Sequence, residues 1–135
     1  MATKFTDIDT DFNQSSNKAL LGGLANNAFA FLFNGLKLEL TESGEIDPAK
    51  YSFVQLNHAS TLIAATIAAP VEGQLMVITQ TDSGTAGHTV TLSAGTFDGT
   101  NDVATFDALG ETLILFGVTD ASYVIVENIG SVSMS

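Results

Sequence analysis

The sequence predicts a mainly β protein: an antiparallel β-sandwich or barrel-like body preceded by an extended N-terminal arm and a β-hairpin. Three observations predict it. From Tyr51 onward, short apolar-rich runs recur between turn residues, close to the roughly 8–12-residue spacing of sandwiches and barrels. Thr89, Val90, Thr91 and Leu92 alternate polar with apolar, as a half-buried antiparallel strand does. Asn34-Gly35 separates two alternating runs, and a type I′ turn needs the positive φ that these two residues tolerate. The chain then divides into an arm (1–27), a hairpin with its linker (28–50) and an antiparallel body (51–135).

In the arm, Asp7, Asp9 and Asp11 alternate with Ile8 and Thr10, and a polar loop follows at 13–17. Leu20, Leu21 and Leu24 suit the apolar stripe of a helix that Asn17 would cap. Gly22-Gly23 inside that stripe limits it to a short, weak helix, because each Gly costs about 1 kcal/mol relative to Ala.

The hairpin register follows from its turn. A two-residue loop pairs Phe33 with Leu36, Phe31 with Leu38 and Phe29 with Leu40, all on one face. Ala28, Ala30 and Leu32 then lie opposite Lys37, Glu39 and Thr41 on the other. An isolated hairpin is marginal in water, so the Phe/Leu face must be buried against the body or another chain. Residues 42–48 read as a turn or linker, with Pro48 forbidding a central strand.

In the body, strands are expected at 52–57, 60–68, 74–81, 88–93, 102–106, 111–117 and 122–129. The Ala-rich run 60–69 mixes helix-favouring Ala with β-branched Thr61, Ile63, Thr66 and Ile67. Its flanking turn signals and Pro70 favour a strand. Residues 112–116 and 123–126 are more continuously apolar than a one-sided strand needs. In so small a domain, the second cover of such strands is often another subunit.

Composition narrows the function. The 135 residues suit one domain, and the 45% hydrophobic content excludes a disordered chain. Fifteen acids face four bases, giving a net charge of −11; all four bases are Lys (Lys4, Lys18, Lys37, Lys50). Without Arg or clustered cations the chain is not suited to nucleic acid. Thiolate metal sites and disulfides are impossible, because there is no Cys. Residues 1–12 have no apolar core, so no cleaved signal is expected, and no apolar run reaches the roughly 20 residues of a membrane helix. Cytoplasmic synthesis follows.

Motifs of chemistry are weak. Asp7-x-Asp9-x-Asp11 begins like a calcium loop, but Lys18 stands where the distal Glu belongs. His58 and His88 lack a His-x-x-x-His partner, so a zinc site would need two distant carboxylates, or His88 side chains from three chains on a shared axis. No Ser has a G-x-S-x-G context, and 82–87 has no Lys to meet a phosphate. No catalytic, cofactor or metal residues are expected. Five of the nine Phe fall within the first 33 residues, which suits a docking element as well as an ordinary core. The candidate interface with a partner or another subunit is Phe5, Phe12, Leu20, Leu24, Phe29, Phe31, Phe33, Leu36, Leu38 and Leu40.

Four stretches carry a resemblance. They are Thr81 to Leu92, Phe97 to Phe106, Gly110 to Gly117 and Val126 to Val132, within a span, 81–132, of about 40% of the chain. They resemble a β-rich module of structural proteins in tailed bacteriophages, especially marine and cyanobacterial phages. Proteins with this module sit in head decoration proteins, fibres and other virion parts. Similar modules often carry Trp near position 123, where this chain has Tyr123. The resemblance implies a non-enzymatic virion protein on the capsid surface, oligomeric and expected to be a homotrimer, with no cofactor. A capsid decoration (cement) protein would dock its arm and hairpin on the major capsid protein and stabilise the head. Burying Phe29, Phe31 and Phe33 at ~1.5–3 kcal/mol each would supply part of that attachment. The alternative is a receptor- or glycan-binding tip of a tail or head fibre, using the loops at 82–88 and 98–102.

Overall fold

The computed structural model describes residues 37–84 and 87–135. The arm, the first hairpin strand, the Asn34-Gly35 turn, the Asp7/Asp9/Asp11 motif and Leu36 lie outside the described residues. Ten strands form: β1 (Lys37–Leu40), β2 (Glu45–Ile46), β3 (Phe53–Leu56), β4 (Ala64–Ile67), β5 (Leu75–Gln80), β6 (His88–Leu92), β7 (Val103–Phe106), β8 (Thr112–Thr119), β9 (Ser122–Ile129) and β10 (Ser133–Met134). Among the described residues there is no helix. Each of the seven strands expected in the body is present: five are shorter than expected, Ser122–Ile129 is as expected, and Thr112–Thr119 runs two residues further. The Ala-rich run is indeed strand, over Ala64–Ile67.

The strands make two five-stranded sheets that pack as a sandwich and do not close into a barrel. Sheet A has the order β1-β3-β5-β8-β9 and sheet B the order β10-β7-β6-β4-β2. The sheets are mixed. From β1 to β6 the chain alternates between them, so that β1, β3 and β5 run parallel in sheet A and β2, β4 and β6 run parallel in sheet B. This half is a two-sheet coil of three turns. A parallel pair needs a long crossover, and here the strand laid down in the opposite sheet is that crossover. Short strands separated by turns therefore give the same sequence spacing as an antiparallel meander. The rest is antiparallel: β7 on β6, β8 on β5, β9 on β8 and β10 on β7. The 42–48 stretch, read as turn or linker, contains β2, a two-residue strand at the edge of sheet B.

Alternation explains the core. Met76 and Ile78 on β5, Val90 and Leu92 on β6, and Leu113 and Leu115 on β8 point inward and are buried. Phe97, Phe106 and Tyr123 are the largest fully buried side chains. Tyr123 stacks on Phe97 with ring centroids 6.2 Å apart, so the aromatic at this position packs the interior. Burial pushes its phenol up to about 12. Leu38 and Leu40 are half-buried against the core, while Lys37 and Glu39 are exposed on the other side of β1.

Candidate functional site

The two outward faces of the sandwich differ in chemistry. On sheet B the cross-strand rows read Glu45–Thr66–Thr91–Val103 and Ala64–Thr89–Thr105–Ser133. That surface is mostly hydroxyls and methyls. On sheet A one row is Lys37–Phe53–Val77–Ile114–Glu127 and the next is Leu75–Phe116–Val124. A third row, Glu39–Gln55–Thr79–Thr112–Ile129, is polar over most of its length, so the apolar part of this face is bounded on that side.

The apolar character peaks on β8 and β9. Phe116 stands opposite Val124, and the two are 39% and 48% exposed. Register shifts fall between Ile114 and Leu115 and between Gly117 and Thr119. The first leaves Val126 as an extra residue on β9, and the second leaves Val118 as an extra residue on β8. A bulged residue sits outside the ladder and rephases the strand beyond it. Here the rephasing sets Glu127 opposite Ile114 on the outer face, instead of in the core. Both bulged residues are exposed valines, at 56% for Val126 and 38% for Val118. The apolar runs 112–116 and 123–126 thus have one side in the core and the other uncovered by the described residues.

A second cluster lies at the end of β5 and the start of β6. His88 is fully buried. Its Nδ1 accepts the N–H of Ile63 at 3.0 Å. The proton therefore sits on Nε2, which donates to Asp82 Oδ2 at 2.9 Å. Asp82 also accepts from the N–H groups of Gly84 (2.9 Å) and His58 (3.3 Å). Burial pushes the Asp82 carboxyl up, but the His88 hydrogen bond and the two backbone donors outweigh it and hold it below its ordinary value. His58 in turn accepts the N–H groups of Ser60 and Thr61 on its Nδ1. A Cβ on Gly84 would lie 1.8 Å from the carbonyl oxygen of Ala59, so only Gly allows this close approach of the two loops.

This cluster joins loops. Both ring nitrogens of His88 are engaged, so neither can activate a hydroxyl or bind a metal. Full burial also keeps His88 from a metal shared on a symmetry axis. Sequence reasoning placed His88 at a strand edge and 82–87 in a surface loop, and missed the pair. Its one signal was an Asp six residues before a His across a turn. Among the described residues no group of three or more His, Cys, Asp or Glu could hold a metal ion. No helix there is long and apolar enough to cross a membrane.

At 98–101, Asp98 accepts from the N–H groups of Asn101 and Thr100 and from the Asn101 side chain, which holds its carboxyl below its ordinary value. Of the interface residues expected from sequence, Leu38 and Leu40 pack on the core; Phe5, Phe12, Leu20, Leu24, Phe29, Phe31, Phe33 and Leu36 lie outside the described residues. The outer face of sheet A was foreseen only as two apolar runs. Comparison of the chain with protein-family models, with curated proteins and with solved structures finds no significant match.

Proposed function

We propose that the protein is a non-enzymatic structural component of a phage virion, a decoration protein that binds the outer surface of the head and stabilises it. The observation that carries the reading is the apolar outer face of sheet A. A surface built around Phe116, Val118, Val124 and Val126 gains nothing in water and is suited to a neighbour. The resemblance to phage structural modules falls on β6 and β7 of sheet B, on most of β8 and on the end of β9, so it takes in Phe116 and Val126 of this face but not Val118 or Val124. The arm and hairpin would engage the major capsid protein, and the body would meet neighbouring copies in a homotrimer. The hydroxyl face of sheet B would then stand toward solvent.

The test is binding of the purified chain to phage heads that lack it. Saturable binding, and heads that survive higher temperature once decorated, is the expected result. Removing residues 1–27 should abolish binding while leaving a folded protein. Binding to host cells, with none to heads, would favour a fibre tip and overturn the decoration reading.

A further inference from the structure

We propose that the outer face of sheet A at β8 and β9 is a self-contact, covered by another copy of this chain. The inference rests on the reading of this face as a contact surface, and it names the occupant. It does not depend on which particle the protein serves.

Charge argues for a second copy. Apart from Glu39, Glu45 and Glu127, every acid among the described residues lies in a loop, and the chain carries no base beyond Lys50. A basic partner would be drawn to the loops, and the one cation on this face among the described residues, Lys37, lies at its far margin, 3.7 Å from Glu39. The block formed by Leu75, Ile114, Phe116, Val118, Val124 and Val126 carries no charge, so only a similarly uncharged apolar surface complements it. The protein itself offers one. The acids nearest the contact are Glu127 at its margin and Asp120 in the β8–β9 turn, and copies must meet with these groups apart, since like charges would be costly.

Area argues the same way. The exposed parts of these side chains form one apolar patch, within the roughly 300–600 Å² of the largest patch on a typical monomer, a size that is often functional. That is the size of an apolar centre for a standard interface of about 800 Å² per partner with a polar rim. Thr112, Thr79, Gln55 and Glu127 supply such a rim. The chain enters the described fold at Lys37, on the opposite edge of sheet A from β9. With neighbouring strands about 4.8 Å apart, four strand spacings separate that entry from β9, roughly 19 Å.

The experiment is sedimentation of the full chain over a range of concentrations, for the natural protein, the double variant Val124→Lys/Val126→Lys, and Thr66→Lys on sheet B. Both valines are about half exposed, so the lysines are compatible with a folded monomer, which circular dichroism and thermal melting verify. The natural protein should self-associate and Thr66→Lys should match it. The double variant should associate at least roughly 100-fold more weakly, because its lysines would be stripped of water in the contact. A natural protein that is monomeric throughout, or a double variant that assembles as well as the natural one, overturns the proposal. So does a monomer in which the lysines lower the melting temperature, since the face is then covered by its own chain. Head binding is scored separately: self-association without head binding removes the decoration reading alone, and head binding by a monomer removes the self-contact alone.

Discussion

Asp82 and His88 close a turn on themselves inside the protein, their side chains 2.9 Å apart and almost wholly out of contact with water. The bond does more than join β5 to β6. By accepting the Ile63 N–H on its other nitrogen, the imidazole also ties down the chain entering β4. One side-chain pair thereby holds two successive turns of the coil together, beside the backbone bond from the Thr89 N–H to the Ile63 carbonyl.

Asp82→Ala should therefore be among the more damaging substitutions in the body. It would leave the His88 N–H and the backbone N–H groups of Gly84 and His58 without their acceptor. A loss of about 2–4 kcal/mol is expected, read by denaturant unfolding. The pH dependence has a definite sign. The folded-state pKa of Asp82 is lowered, so its contribution is fully present above the unfolded value near 3.9. It is lost as pH falls through the folded value. The gap between the natural protein and Asp82→Ala should narrow in acid; a constant gap would mean that ionisation of Asp82 is irrelevant to it.

Gly117→Ala should destabilise although it lies in a strand. A Cβ there would stand 2.1 Å from the carbonyl oxygen of Val71, a backbone atom that cannot swing aside. Forcing the turn at 71–74 away from β8 should cost about 1–3 kcal/mol, the usual penalty of overpacking. A melting temperature equal to that of the natural protein would refute it.

Gln80→Met should do the opposite. Gln80 points inward from β5, and neither amide atom finds a hydrogen-bond partner among the described residues. Met has similar length and no unmet polar group. Removing the penalty of a buried unpaired amide should stabilise the protein by about 1–3 kcal/mol in denaturant unfolding. A loss of stability would show that the amide is satisfied.

What was legible in the sequence was local. Thr89 to Leu92 alternate because one side meets the core, and that pattern survives in the fold as written. Strand partners were not legible, since Val54 carries no mark that its neighbours are Leu38 and Ile78, sixteen and twenty-four residues away. A parallel coil and an antiparallel meander impose the same periodicity on each strand, and only the long-range pairing separates them. The outer face of sheet A was half legible. Val124-Ile125-Val126 announced apolar cover on two sides, but the bulge that turns Glu127 outward depends on the register with β8. The Asp82–His88 pair was invisible because Asp and His in a Gly-containing segment read first as a surface turn.

The bulge on β9 allows a sharper test of that register. Val126 is the extra residue, with Ile125 opposite Leu115 and Glu127 opposite Ile114. Deleting Val126 would restore a regular ladder while keeping Tyr123 and Ile125 inward and Glu127 outward. The deletion should fold, with a stability change below about 1.5 kcal/mol, small for loss of a strand residue. Deleting Ile114 instead would move the inward residues of β8 to the outer face and should abolish folding. If both deletions unfold the protein, the extra residue is not Val126.

Salt should strengthen assembly of this protein. Each copy carries a net charge of −11, and the proposed contact on sheet A contains no complementary cation and anion. Association must then work against repulsion between like-charged molecules. Raising ionic strength from about 0.01 to 0.15 M shortens the Debye length from roughly 30 to 8 Å and screens that repulsion. Apolar contact is left intact by salt at these concentrations. Sedimentation should show the dissociation constant falling by roughly 3–10-fold over this range. An interface built from ion pairs would weaken over the same range, so a rising constant would show that the copies meet through charged groups and not through Phe116, Val124 and Val126.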